Sequence, residues 1–226
     1  MTHKKAEFMK KPGLVLAMIC AMAIGITGAV HAADDTEGYD LIFRTGTLDD
    51  FAPGDHLRYE SVTANEAAAP QTPQSLDLVI EDDDTARLSR DIDGKRQSLA
   101  VFDASVGNPM AMFFLERLVR DLAVSTGGSK FYIRNRIKDS LLAPEAITSD
   151  HISYDGAEQP ATRVTLAPFV ADENRARLGP LADLRIDFLM SDAVPGWYYM
   201  IEAATPMREA GGRFFHSTLH LSEEVQ

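Results

Sequence analysis

The side chains best equipped for chemistry in this sequence are few and far apart. His216 and His220 are spaced by four, which on a helix would make a metal-binding pair. Here Phe215, Ser217, Leu219 and Leu221 alternate against Phe214, His216, Thr218 and His220, the period of a strand. Strand rise then puts the two imidazoles on one face but roughly 13 Å apart, too far to share an ion. His56 and His151 are isolated. The run Glu81-Asp82-Asp83-Asp84 gathers the hard oxygens that suit calcium. It lacks the alternating donors and spaced glutamate of a calcium loop, and reads as a solvated hairpin turn. No G-x-S-x-G elbow, H-E-x-x-H helix, phosphate-binding glycine loop or dinucleotide fingerprint occurs. A serine triad needs no closeness in sequence, so its members cannot be read from Ser, His and Asp being present. The expectation is no metal, no cofactor and no assignable catalytic residue.

A second class of candidates is apolar. Met112, Phe113 and Phe114 follow Met110, and Trp197, Tyr198 and Tyr199 follow a Pro-Gly turn. Flexible thioethers and aromatic rings adapt to lipids and peptides. The same residues are also ordinary core formers. Both readings stay open, and Met112, Phe113, Phe114, Trp197 and Tyr199 are the candidate ligand-lining residues.

The helix that would position the first three begins at Asn108, a good cap, with Pro109 in the first turn. Apolar residues at 111, 114, 115, 118 and 122 form a core-facing stripe, and Gly127-Gly128 ends it. A second helix starts at Ser129, with Ile133, Ile137 and Leu141 four apart, and stops at Pro144. Glu116 is expected to make a buried ion pair with Arg120, Arg134 or Arg136, locking the two helices together. The basic run Arg134, Arg136 and Lys138 is either a solvated face or a contact for anionic headgroups.

The rest of the chain is strands and turns. Alternation marks strands at 56–63, 76–80, 86–90, 95–102, 147–154, 161–166, 184–190, 197–204 and 215–221. Asp93-Gly94 and Asp155-Gly156 are hairpin signals. Residues 39–51 fit either a strand or a loose helical turn, residues 65–75 read as a surface loop, and 173–177 as a helical turn. About eight or nine hairpin-joined strands with two central helices give an α+β fold, a strongly curved antiparallel sheet forming an open half-barrel that the helices cover.

Residues 1–32 read as a signal peptide. Lys4, Lys5, Lys10 and Lys11 precede an apolar stretch from Leu14 to Ile26, and Val30-His31-Ala32 suits cleavage. Cys20 lies in that stretch, so a chain cut near Ala32 has no cysteine, which excludes disulfides and thiol chemistry. Losing four lysines and Glu7 takes the net charge from −12 to −15, which argues against nucleic acid. Residues 33–226 are then one domain, expected in the periplasm or secreted, with no integral membrane segment.

Gly107-Asn108-Pro109, Phe114-Leu115-Glu116-Arg117, Thr126-Gly127-Gly128, Tyr132, Arg134-Asn135-Arg136-Ile137, Pro168-Phe169 and Val194-Pro195-Gly196-Trp197 resemble a family of uncharacterised secreted proteobacterial proteins. That resemblance implies a periplasmic domain and supplies no catalytic residue. The architecture also looks like the periplasmic lipoprotein-carrier fold, an open half-barrel with an apolar hollow. Three functions remain: a binding protein for a lipid, acyl chain or apolar peptide; an envelope assembly protein acting on a partner through its surface; and a hydrolase with a dispersed site.

Overall fold

Nine stretches of alternating polarity become nine strands because each can bury one face and hydrate the other. A computed structural model describes residues 36–225 except Asp93, and only the backbone of 223–225. The expected leader, with Cys20 and the cleavage site at Ala32, and Asp93 of the first hairpin lie outside the described residues. The fold below is that of the unit that spans residues 33–226.

Helix α1 (Glu37–Ile42) leads into a turn-rich segment, which settles the ambiguity at 39–51 in favour of a helical turn. Strands β1 (His56–Asn65), β2 (Gln74–Ile80), β3 (Thr85–Ile92) and β4 (Lys95–Asp103) form one meander. Then come α2 (Met110–Thr126) and α3 (Lys130–Leu142). A second meander follows, of β5 (Ala146–Tyr154), β6 (Ala157–Leu166), β7 (Arg185–Met190), β8 (Tyr198–Ala204) and β9 (Phe215–Val225). Two short 3₁₀ turns, Arg175–Arg177 and Gly179–Asp183, fill the link between β6 and β7.

All pairings are antiparallel, and the sheet order is β4-β3-β2-β1-β9-β8-β7-β6-β5. The two meanders therefore meet at a β1–β9 seam in the middle, from His56 with Val225 to Asn65 with Phe215. The sheet does not close. Its edges are β4 and β5, and the two central helices are the connection between those edges. Nine strands at ~4.8 Å would span about 38 Å if flat, while α2 and α3 measure about 25 and 20 Å. The sheet curves, and the helices lie across its buried face.

That face is apolar over most of its area. Leu57, Tyr59, Leu76, Leu78, Ile186, Phe188, Ile201, Phe215 and Leu219 form one cluster with Phe114, Leu118 and Leu122 of α2 and Ile133 and Ile137 of α3. The helix stripes are those the spacing predicts.

Candidate functional site

The N-terminal end of α2 is built around Asn108. Its side-chain oxygen accepts from the Met110 N–H (3.1 Å), the first-turn capping expected of it, although the helix proper begins one residue later than the capping pattern suggested. Its amide donates to the Tyr59 hydroxyl (2.8 Å) and the Gly196 carbonyl (2.7 Å), and its own N–H donates to Thr47 Oγ1 (2.8 Å). The buried side chain thus joins α2, β1 and the 191–197 turn, and the backbone N–H of the same residue adds the segment after α1. Two glycines make this approach possible. A Cβ on Gly107 would lie 2.5 Å from the Arg44 carbonyl, and one on Gly196 would lie 2.4 Å from Leu57 Cδ1. Burial pushes the Tyr59 and Tyr198 phenols far up, so both stay protonated. Tyr198 donates to the Ile42 carbonyl.

Beside this junction, Trp197 holds φ +79°, a backbone region uncommon for a bulky residue. Its indole N–H donates to the Leu41 carbonyl (2.9 Å), and the Arg44 guanidinium lies 4.5 Å from the ring centroid. Arg44 also pairs with Asp192 (2.6 Å). These groups border a pocket of about 300 Å³ whose lining includes Gly46, Thr47, Asp50, Ser191 and Gly196. A second, larger recess of about 740 Å³ lies over Phe51, Ile80, Asp83, Asp84, Phe102 and Asp103. Neither has a residue of α2 or α3 in its lining.

Further along, α2 faces a polar seam. Ser61, Thr63, Asn65 and Ser217 occupy core-facing positions of β1 and β9 where a packed core would hold apolar side chains. Thr63 and Ser217 share a hydrogen bond (2.9 Å), and Asn65 donates to Ser125 of α2 (2.9 Å). Arg117 reaches Ser61 (3.4 Å), Gln74 (3.2 Å) and Gln71 (2.7 Å), so its charge is met mainly by neutral oxygens. Its nearest carboxylate, Asp121, stands 4.0 Å away, with a buried Oδ2 that has no hydrogen-bond partner. Burial raises the Asp121 carboxyl above its ordinary range, with Arg117 and Gln71 pulling the other way, and lowers the Arg117 guanidinium. Sequence reasoning missed this cluster. The visible signal was Ser61, Thr63 and Asn65 at every second position after Leu57 and Tyr59.

The structure does not bring the five expected lining residues together. Phe114 is in the core, Phe113 is half-buried, and Met112 is 55% exposed. Trp197, 7% exposed, belongs to the corner just described. Tyr199 lies on the other side of the sheet, edge-on to His220 with centroids 4.8 Å apart. Strand alternation made residues 197 and 199 same-face neighbours. The left-handed backbone at Trp197 breaks that relation, since Trp197 sits in the turn before β8. The interior, a hollow in the carrier architecture this fold resembles, is lined here by a cluster of apolar side chains from the sheet and helices.

Glu116 pairs with Arg134 through two bonds (3.0 and 2.8 Å), linking α2 to α3. The pair is half exposed rather than buried, because both residues sit on helix flanks away from the sheet. Arg134 holds the Glu116 carboxyl below its usual range. Arg120 is exposed, and Arg136 pairs with Asp139 within α3. His216 bonds Glu202 (2.8 Å), separately from His220. The acidic turn spends Glu81 on Arg87 (2.6 and 2.7 Å) and Asp83 on Thr85 (2.6 Å). Among the described residues no three His, Cys, Asp or Glu are placed to hold a metal, and no helix is long and apolar enough to cross a membrane.

No family model matches this chain, and no curated protein matches it. Solved structures do align with it. LprF from Mycobacterium bovis shares 9% identity over 83% of this chain and 92% of its own, with a TM-score of 0.35. The Mycobacterium tuberculosis lipoprotein LppX shares 11% identity over 84% of this chain and 94% of its own, also at 0.35.

Proposed function

We propose that this protein is a periplasmic binding module for a lipid or acyl chain, taken up between the buried face of the sheet and the α2–α3 layer. The observation behind this reading is the difference in how α2 is held along its length. Its first turn is pinned by Asn108, whereas its middle and end meet the β1–β9 seam through hydroxyls, amides and a poorly paired Arg117–Asp121. A filled interior is then the empty, closed form. Uptake requires the helices to lift from the seam as one layer, coupled by Glu116 and Arg134, with a chain replacing their apolar contacts and polar seam groups meeting its head.

Native mass spectrometry of protein isolated from its own compartment, followed by organic extraction, tests the reading. A lipid-sized mass is expected. A disulfide staple provides the mechanistic arm. Asn65→Cys with Ser125→Cys replaces a 2.9 Å contact between β1 and α2. The oxidised form should lose uptake of a fluorescent long-chain fatty acid, and reduction should restore it. Absence of any bound mass together with no uptake by the unstapled protein would overturn the reading. Weight would then shift to an envelope assembly role through the surface, which Val124 and Phe131, 64% and 76% exposed on either side of the α2–α3 turn, favour.

A further inference from the structure

We propose that the corner pocket beside Trp197 is a recognition site for an organic cation, an ammonium or guanidinium group laid on the indole face. The chain's own Arg44 now occupies that place. This inference stands apart from the lipid reading, since the pocket has no residue of α2 or α3 in its lining.

The chemistry follows from what the pocket leaves free. Two of its wall hydroxyls are already engaged: Thr47 Oγ1 accepts from the Asn108 N–H, and Ser191 Oγ donates to the Pro160 carbonyl while accepting from the Ala193 N–H. Thr45 adds a third hydroxyl to the lining. The charged groups in the lining are two carboxylates, Asp50 and Asp192, against one guanidinium, Arg44. Asp192 is engaged by Arg44, whereas the exposed Asp50 makes no hydrogen bond or ion pair among the described residues. An anion would meet net negative charge here, and a cation would be neutralised. The indole ring already holds a cation at 4.5 Å, and tryptophan is the best aromatic partner for one.

The wall is tightly constrained, and its present occupant is held by exposed contacts. Trp197 is fixed by its indole bond to Leu41 and by a backbone at φ +79° that follows Gly196 at φ +71°. Such conformations persist only where the surroundings over-determine them. Arg44 is held in the pocket by the indole face and by one ion pair, whose side chains are 48% and 81% exposed and which adds little net stability. An incoming cation can displace it and inherit both the ring and Asp192, with Asp50 completing the charge balance. Because a guanidinium already fits this place, the favoured occupant is an arginine side chain of a partner protein, and a lipid headgroup is the alternative outcome of the test.

Trp197 is the only tryptophan in the chain, so its fluorescence reports the site. The mature protein is titrated with choline chloride, which represents a lipid headgroup, and with N-acetylargininamide, which represents a protein side chain. Sodium acetate serves as the control. Arg44→Ala removes the internal competitor, and should tighten the saturable response to at least one cation about tenfold over the natural sequence. Arg44→Gln is the fallback should the alanine variant fold poorly. Asp50→Asn in the Arg44→Ala background should weaken binding several-fold, with circular dichroism unchanged. Whichever probe binds more tightly assigns the source. No saturable response to either probe in the folded Arg44 variant, or a response that Asp50→Asn leaves unchanged, would overturn the proposal.

Discussion

The first turn of α2 and the turns around Arg117 and Asp121 solve the same problem in opposite ways. At Asn108 every polar group of the side chain is used, on three different parts of the chain, and two glycines let the backbones close in. At Arg117 and Asp121 a charge pair is taken out of water with a 4.0 Å separation and an unpartnered oxygen. Burial without full hydrogen bonding is costly, so the first turn is expected to resist opening and the later turns to tolerate it. A helix fastened in this way is a lever with a fixed point, as the proposed uptake beneath it would require.

The largest effect that could break this comparison is at the fixed point. Gly196→Ala meets Leu57 Cδ1 at 2.4 Å and Asn108 Nδ2 at 2.8 Å, at a positive φ. It is expected to lose about 3 kcal/mol or more, or to prevent folding, as read by denaturant titration. Asn108→Ala leaves the Tyr59 hydroxyl and the Gly196 carbonyl buried without their partner, and should lose about 2–3 kcal/mol in the same measurement. In the later turns the double change Arg117→Met with Asp121→Leu should alter stability by less than about 1 kcal/mol, because replacing a poorly paired buried ion pair as a whole by apolar packing is often neutral. A loss in the double variant as large as that at Asn108 would erase the distinction between the two regions.

The smallest effect is one of pH. The Asp121 carboxyl is raised by burial, so the folded state holds its proton at pH values where the unfolded chain has released it. The Asp121 contribution to stability therefore falls as pH rises from the ordinary carboxylate range through the raised value. The natural chain should gain on Asp121→Asn when pH is lowered from neutral into that window. A difference between the two that does not vary with pH would mean that the carboxyl is not strained by its surroundings.

Much of the fold was legible because alternation and helical stripes are local properties. The nine strands and two central helices stand where apolar spacing places them, and ends moved by a few residues where caps and hairpins extend the ladder. Residues 39–51 stayed ambiguous since Gly46, Asp49 and Asp50 interrupt any period. The candidate site was far less legible. Period tells which face a residue shares within its own element, and says nothing of which other element covers that face. Met112 and Phe114 were therefore grouped with Tyr199, which lies beyond the sheet, while Ser61, Thr63 and Asn65 passed as ordinary strand residues. Trp197 was noticed for its type, but its partners Arg44 and Asp192 are distant in sequence.

By itself the sequence determined the α+β class, the hairpin connections, the acidic balance and the absence of familiar catalytic motifs, because each depends on neighbours along the chain. Only the tertiary structure decided that β1 pairs with β9, which makes a seam of residues from opposite ends of the chain. It alone brought Gly107-Asn108-Pro109 against Pro195-Gly196-Trp197 and set Arg44 on the indole ring. Pairing order and close approach are properties of the whole packed chain, fixed by which faces can be buried together and which buried polar groups find partners.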